Sequence, residues 1–552
     1  MAVDSVAASR RLNGTQLQAV SIGIAVAVAT AMLSVSRHLL PGAFNDDGAY
    51  LALGRALANG DGYRSTYLVG APLQVKYPPA FPALLAVLWR VVHTPGAVQT
   101  IVTVINVVAC GIAAALFWWL ARVRLRLPIV VATAVVALPF LLEPAIQYYT
   151  LVLSEPLFLL AMACAFVLVE RRDIGSTRSE TVRAVALGVT LALAVLLRTQ
   201  AIALLAAILI GLLLDRSRRR TFGIAAAVSL PIIAAWHVHV FLGSKHEVLA
   251  TQASESSYMS FLGVSGGAFA AREIGVIAGN AMDYLHLLSG YLSASATIGM
   301  SATIALAVVA FVGALLLLRE HTSLGLALLA NGAMLLLWPA YQDRYLLPML
   351  PLVGLSVGCV LYAVRWASVV AAASLVLVLL RQQDIRREVE AARASGKAPS
   401  ISTPSFWLRG NSWFVDATAR WTLRSTSRND RIAVVSPAGL WLYTGRQTVP
   451  MEVVEPRGAP SVFDVPGRYL ASQIATQKVT VVLVESSGGT TAREVAALRS
   501  ACPASLRQVD EFSGIAAWRA NPNDACVAAL DQRFRTASTN SASQLPPKVV
   551  AR

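Results

Sequence analysis

Two adjacent carboxylates, Asp46 and Asp47, stand in the stretch AFNDDGAYLALGRALANGDGY, Ala43 to Tyr63, directly after the first long apolar run of the chain. A carboxylate held beside an acceptor hydroxyl is a general base, and a pair offers both a base and a positioning group. The same residues suit a helix start, with Asn45 or Asp46 as the cap and the acids at the positive end of the dipole. Arg344, in WPAYQDRYLLP, carries a guanidinium suited to bidentate phosphate contact. Its neighbours Trp338, Tyr341, Asp343 and Tyr345 also describe a membrane-interface anchor, or an Arg344–Asp343 ion pair. Arg198 separates two short apolar runs, a costly place for an arginine unless it faces a cavity or a partner. Glu155, in LSEPLF, either holds a cation or substrate, or is an acid in a first helical turn next to Pro156. His237 and His239 lie two residues apart and do not share a helix face, so a metal pair is not expected there.

The elements that must position these groups are membrane helices. Of 552 residues 56% are hydrophobic and only 14% charged, and the mean hydropathy is +0.61. Crossing the hydrocarbon core takes roughly 20 apolar residues as a helix, and such runs recur from Ala19 to Leu380. The net charge of +16 does not point to nucleic acid, because the basic residues gather at the ends of apolar runs, as membrane orientation requires.

Those clusters predict a topology. Arg10 and Arg11, Arg122 to Arg126, Arg171 and Arg172, and Arg216 to Arg220 all fall on the cytoplasmic side if Val20–Val35, Val98–Ala121, Pro128–Leu142, Leu151–Val169, Val182–Leu197 and Ala201–Leu214 are spans. Phe222–Leu242, Ile298–Leu318, Leu324–Pro339, Leu346–Val364 and Ala367–Leu380 bring the total to roughly eleven. An odd number places the N-terminus inside and the C-terminal region outside. Pro78–Val92 is apolar but too short to span, and reads as a helix lying on the outer leaflet. The first outer loop, 37–96, therefore carries two juxtamembrane helices, one from Asp46 and one from Pro78. Gly243–Ser289 reads as a second large outer loop.

The membrane part is expected to cover 1–381. A mixed polar α/β domain follows over 382–535, with strands in RIAVVS at Arg431 and VTVVLVES at Val479 and a helix in PAGLWLYTGR. The tail 536–552 has a disordered composition. Cys110, Cys164 and Cys359 fall in spans. Cys502 and Cys526 are the only cysteines of the soluble domain, and a disulfide is expected between them if that domain is extracytoplasmic.

The order NDDGAY, GDGYRS, KYPPAFPALL in a first outer loop resembles the GT-C fold glycosyltransferases, the group containing the aminoarabinose transferases and protein O-mannosyltransferases. In that family an acidic pair, D-[DE]-x-x-Y in many bacterial members, opens a juxtamembrane helix, and a Lys or Arg before a proline-led second helix touches donor phosphate. Asp46, Asp47 and Tyr50 match the first element, and Lys76 with Pro78 and Pro79 the second. LSEPLF at Leu153, LLRTQA at Leu196, QDRYLLPMLP at Gln342 and WLYTGR at Trp441 extend the likeness across most of the chain. The pair here is Asp-Asp instead of Asp-Glu, which leaves open which carboxylate acts. No cofactor is called for, and without a metal-binding cluster the need for a divalent metal stays open.

The resemblance implies a membrane enzyme that moves a sugar from a polyprenyl-phosphate donor to an acceptor hydroxyl, with inversion, at the outer face of a bacterial inner membrane. A phosphate leaving group needs a nearby cation more than an acid, and the acceptor needs a base. Asp46 and Asp47 are the expected catalytic carboxylates. Lys76, Arg344 and Arg198 are the expected phosphate-binding cations, and Tyr50, Tyr77, Glu155 and Tyr345 the substrate-positioning residues. The acceptor is a glycan, lipid or protein. A secondary transporter would show repeated halves, which are not evident. A polysaccharide polymerase or ligase using lipid-linked sugars fits nearly as well.

Overall fold

A computed structural model describes residues 14–34, 39–171, 177–243, 269–338, 341–364, 366–395, 404–452, 465–486 and 489–533. The tail 536–552 and the basic residues Arg10, Arg11 and Arg172 lie outside the described residues.

The chain is a polytopic helical protein with a C-terminal α/β unit. Its helices run α1 (Gly14–Ser34), α2 (Asn45–Asn59), α3 (Ala80–Val91), α4 (Pro95–Trp119), α5 (Ile129–Leu141), α6 (Glu143–Thr150), α7 (Glu155–Glu170), α8 (Thr177–Leu197), α9 (Ala201–Leu214) and α10 (Arg219–Gly243). They continue with α11 (Phe269–Leu292), α12 (Ala296–Glu320), α13 (Thr322–Leu337), a 3-10 segment (Asp343–Met349), α14 (Leu350–Tyr362) and α15 (Ala367–Ser395). Among the described residues six helical stretches are long and apolar enough to cross a membrane, and α5 with α6 makes a seventh, bent by 61°. Other expected spans fall on shorter apolar helices, among them Ala201–Leu214 on α9 and Leu324–Pro339 on α13 (Thr322–Leu337). Apolar runs continue through the helix breaks, so hydropathy alone does not reveal them.

Two further expectations are corrected. Gly243–Ser289 is not all loop, because α11 occupies Phe269–Leu292. The polar sequence after Arg381 continues α15 to Ser395, so a helix crosses the expected boundary at 381.

The first outer loop is built by α2 and α3 packed face to face. A Cβ on Gly54 would sit 2.6 Å from the Cβ of Leu85, so only glycine permits this approach. Trp89 Nε1 donates to Leu51 O at 3.0 Å across the same contact. α3 buries Phe81, Leu85 and Trp89 while Val87 and Val91 stay exposed, the two-faced pattern of a helix lying on an interface.

The α/β unit comprises α16 (Pro404–Ser425), α17 (Pro437–Thr444), α18 (Arg468–Gln477) and α19 (Gly489–Ala501) around a sheet of β1 (Ile432–Val434), β2 (Thr448–Pro450), β3 (Val481–Glu485), β4 (Leu506–Phe512) and β5 (Ile515–Ala520). The strand order is β2-β1-β3-β5-β4. β1 pairs parallel with β2 and β3, while β5 is antiparallel to β3 and β4. The apolar strands Ile-Ala-Val and Val-Val-Leu-Val are covered on both faces, as parallel strands require. Leu470, Ile474, Val495 and Leu498 pack on one side, and Phe414, Trp421 and Leu440 on the other. A disulfide joins Cys502 to Cys526, with Cα atoms 5.7 Å apart.

This unit grips the first outer loop. Thr448 N donates to Tyr67 O at 2.9 Å, Ser436 Oγ donates to Gly42 O at 3.0 Å, and Tyr443 Oη donates to Pro41 O at 3.0 Å. Gly42 has φ +89°, and a Cβ there would lie 2.7 Å from Gly439 Cα. Trp441 lies under the Arg55 guanidinium, 5.2 Å from its ring centre. Tyr443 and Trp441 therefore pack the loop against the domain.

Candidate active site

The N-terminus of α2 is not capped by Asn45 or Asp46. Phe44 occupies the cap position and no side chain caps the turn. Both carboxylates lie in the first turn, and successive helical residues diverge by about 100°, so the two face different surroundings. Asp46 Oδ1 accepts from Tyr77 Oη at 2.7 Å, and Oδ2 pairs with Arg344 Nη2. Asp47, fully buried, accepts from Gly42 N at 2.9 Å and Gly48 N at 2.7 Å. It ties down the loop that the α/β unit grips.

The surroundings split their acidities. Burial pushes Asp46 up, but Arg344, Lys76 and the Tyr77 hydroxyl outweigh it and hold the carboxyl at about 2. Burial drives Asp47 up to about 8, against the Gly42 and Gly48 N–H groups, which favour the charged form.

Arg198 sits where α8 ends and α9 has yet to begin, so it enters from a helix break and not from the middle of a continuous span. Its Nη1 lies 2.6 Å from Glu155 Oε1. Arg344 comes from the 3-10 segment, and its Nη1 lies 3.6 Å from the same Glu155 oxygen. Glu155, fully buried at the start of α7, thus joins the two arginines, and its role exceeds that of an acid at a helix start. Arg344 Nε donates to Gln342 Oε1 at 2.8 Å. Of the alternatives for Arg344, the side-chain pair with Asp343 does not form: Asp343 Oδ1 accepts from Tyr148 Oη at 2.7 Å and from the Arg344 backbone N at 2.8 Å.

A cavity of about 210 Å³ opens onto this cluster. Asp46, Tyr50, Tyr77, Arg198, Arg344 and Tyr345 form its polar end, and Ile202, Met334, Leu335 and Trp338 its apolar wall. Tyr50 is fixed by a 3.3 Å hydrogen bond with Ser154 Oγ and by ring contacts with Tyr77 and Phe81 at 4.9 and 5.0 Å. Tyr345 lies beneath both guanidinium groups, 5.6 Å from Arg198 and 5.5 Å from Arg344. Lys76 and Asp47 are not among the lining residues. Lys76 is buried, with Nζ 5.1 Å from the Tyr77 ring centre, and acts on Asp46 through its charge.

Sequence reasoning missed Gln200, which lines the cavity and donates to Tyr345 O at 3.1 Å. Its position two residues after Arg198 was the available signal. Among the described residues no group of three or more His, Cys, Asp or Glu side chains is arranged to hold a metal ion. His237 bonds its own helix at Ile233 O, and His239 stacks on Trp236, so neither belongs to the site.

A helical membrane frame with an acidic first-loop helix beneath a C-terminal α/β unit is the GT-C fold. Among solved structures the chain is similar to ArnT from Cupriavidus metallidurans bound to undecaprenyl phosphate, at 13% identity and TM-score 0.52, covering 94% of this chain and 99% of that one. It is also similar to the archaeal oligosaccharyltransferase AglB from Archaeoglobus fulgidus in complex with an inhibitory peptide and a dolichol-phosphate, at 12% identity and TM-score 0.51, covering 85% and 69%. At such identities the likeness is one of fold. No protein-family model matches the chain, and no curated protein matches it in sequence.

Proposed function

We propose that this protein is a membrane glycosyltransferase that takes a sugar from a polyprenyl-phosphate donor and passes it to an acceptor hydroxyl at the extracytoplasmic face. The observation that carries the reading is the composition of one cavity. Two buried arginines and an ionised Asp46 stand at its polar end, and its other wall is apolar. Arg198 and Arg344 both bear on Glu155, Arg344 also pairs with Asp46, and Lys76 adds its charge to the field at Asp46. Arg344 Nη1 and Arg198 Nε make no hydrogen bond among the described residues, although buried. Such donors are satisfied by an anionic ligand. The apolar wall suits a prenyl chain. The fold shared with ArnT bound to undecaprenyl phosphate and AglB bound to a dolichol-phosphate supports the same donor class.

The chemistry follows from the cluster. Phosphate oxygens compete with Asp46 for Arg344, which releases the carboxylate and raises its basicity as the donor arrives. The acceptor oxygen attacks the anomeric carbon, and its proton passes to Asp46. The bond from that carbon to the phosphate oxygen breaks, with its electron pair going to the phosphate. Arg198 and Arg344 neutralise the charge that grows there, an interaction stronger in the transition state than before it. Attack opposite the leaving group inverts the anomeric centre. Lys76 adds positive potential from behind Tyr77, and Asp47 holds the loop.

Binding of polyprenyl phosphate to the purified protein, followed by native mass spectrometry, tests the donor assignment. A charge-assisted hydrogen bond is worth about 1.5–3 kcal/mol, so Arg344→Ala or Arg198→Ala should weaken binding about 10- to 100-fold. Unchanged affinity in both variants would remove the phosphate from this cavity.

A further inference from the structure

Arg344 also borders a second cavity of about 420 Å³, lined with Phe44, Tyr148, Gln342, Asp343 and Trp407. Leu287 and Tyr341 line this second cavity and also a third, of about 570 Å³, which extends past Asp283, His286, Ser289 and Arg381. The three spaces thus adjoin in series, Arg344 lining the first and second, and Leu287 and Tyr341 the second and third. We propose that the second and third cavities form one groove that binds a glycan chain as the acceptor. Its terminal sugar lies against Trp407 and Asp343 beside Arg344, and its following units lie along Tyr341 toward His286. This rests on the glycosyltransferase reading and names the acceptor class.

The chemistry of the lining changes along this series. The apolar wall of Ile202, Met334 and Leu335 belongs to the first cavity only. Beyond Arg344 it gives way to carboxylates, an amide, an imidazole and hydroxyls interspersed with aromatic rings. Sugars need that mixture, because their C–H faces stack on aromatic rings while their hydroxyls take hydrogen bonds at the edges. Phe44 and Trp407 have ring centres 5.7 Å apart at a 40° tilt, and with the Arg344 guanidinium over the Phe44 ring at 5.0 Å, Trp407 is the ring on which a sugar would stack. In the same cavity Asp343 is held in place by Tyr148 and by the Arg344 backbone N–H, and Gln342 by Arg344 Nε. A lipid acceptor would set Asp343, Asp283 and Arg381, which are half-buried, against hydrocarbon, an unfavourable setting for charged groups. The second and third cavities each fall within the roughly 300–1,000 Å³ that a whole small ligand fills, so together they suit several sugar units.

The test is saturation-transfer NMR on the full-length protein in lipid nanodiscs. The probes are linear arabino-, manno- and gluco-oligosaccharides of increasing length and a serine- and threonine-containing peptide set. In at least one sugar series affinity should rise by about tenfold from the monosaccharide to a longer chain. Trp407→Ala should lower the affinity of the longer chain by about tenfold. His286→Ala should affect only the longer chains, and it serves as the second variant if Trp407→Ala fails to fold. Absence of binding in all three series, affinity independent of length, or preferential binding of the peptides overturns the proposal. No donor is present in this experiment. Release of polyprenyl phosphate with no glycan binding would therefore reject the groove alone, whereas glycan binding without donor cleavage would reject the transferase reading.

Discussion

Asp46 and Asp47 are chemically identical neighbours with opposite duties, because the helical turn sends one to Arg344 and Tyr77 and the other to the backbone of Gly42 and Gly48. Arg344, Lys76 and Tyr77 hold the Asp46 pKa down against its burial, whereas burial raises that of Asp47 against the Gly42 and Gly48 N–H groups. The sign of the pH dependence follows too. A carboxyl held down from 3.8 to about 2 stabilises the fold fully above its ordinary value, and loses that contribution as pH falls from 3.8 through 2. Thermal unfolding of wild type and Asp46→Asn should therefore differ at pH 5 and converge toward pH 2. An advantage that persists at pH 2 would mean that the Asp46–Arg344 pair does not set the acidity. Asp47→Asn keeps one side-chain acceptor for the Gly42 and Gly48 N–H groups and loses the other, and should lower stability by about 1–2 kcal/mol in the same measurement. The acidic pair was legible in the sequence, but its division was not. It depends on Tyr77 and Arg344, which lie 31 and 298 residues further along the chain.

The site is assembled where helices stop. Arg198 belongs to the break between α8 and α9, Arg344 to a 3-10 segment, Glu155 to the first turn of α7 and Asp46 to the first turn of α2. A continuous hydropathy profile hides such breaks, so the residues were identifiable by type while their convergence was not. The contact of α2 with α3 sets the distance from Asp46 to Tyr77, and Gly54 controls it. Gly54→Val places carbon atoms where Leu85 already stands. Overpacking of this kind typically costs about 1–3 kcal/mol, and here it should also lower turnover by displacing Tyr77 from Asp46. Thermal denaturation together with a turnover assay checks both. A Gly54→Val protein of normal stability and activity would show that α2 and α3 are free to separate.

At the scale of the whole molecule, the α/β unit is fastened to the membrane part through the loop that carries the acids, by way of Gly42, Pro41 and Tyr67. Two expectations depend on which side of the membrane this unit occupies. The charge clusters place it outside, so a cysteine at exposed Asn411 should react with an impermeant thiol reagent in intact cells. Labelling only after permeabilisation would reverse the topology. Cys502 and Cys526 close a loop with a sequence separation of 24. Replacing both with serine should destabilise the unit by about 3 kcal/mol while leaving membrane insertion intact, measurable by limited proteolysis under reducing and non-reducing conditions. The two apolar strands and the cysteine pair were readable in the sequence. The β4–β5 hairpin was not, because β4 is mostly exposed polar sequence whose pairing with β5 is set by tertiary contact.

The central claim is that Asp46, beside Arg344 and Arg198, activates an acceptor against a lipid-linked sugar. Its most direct test is the release of polyprenyl phosphate from polyprenyl phosphosugar donors by purified protein, compared between wild type and Asp46→Asn. A positioned base contributes about 10²–10⁴ in rate, so the variant should fold, insert and bind polyprenyl phosphate while releasing it about that much more slowly. Equal release by wild type and Asp46→Asn would contradict the account, and would leave Asp46 as the structural counter-ion of Arg344.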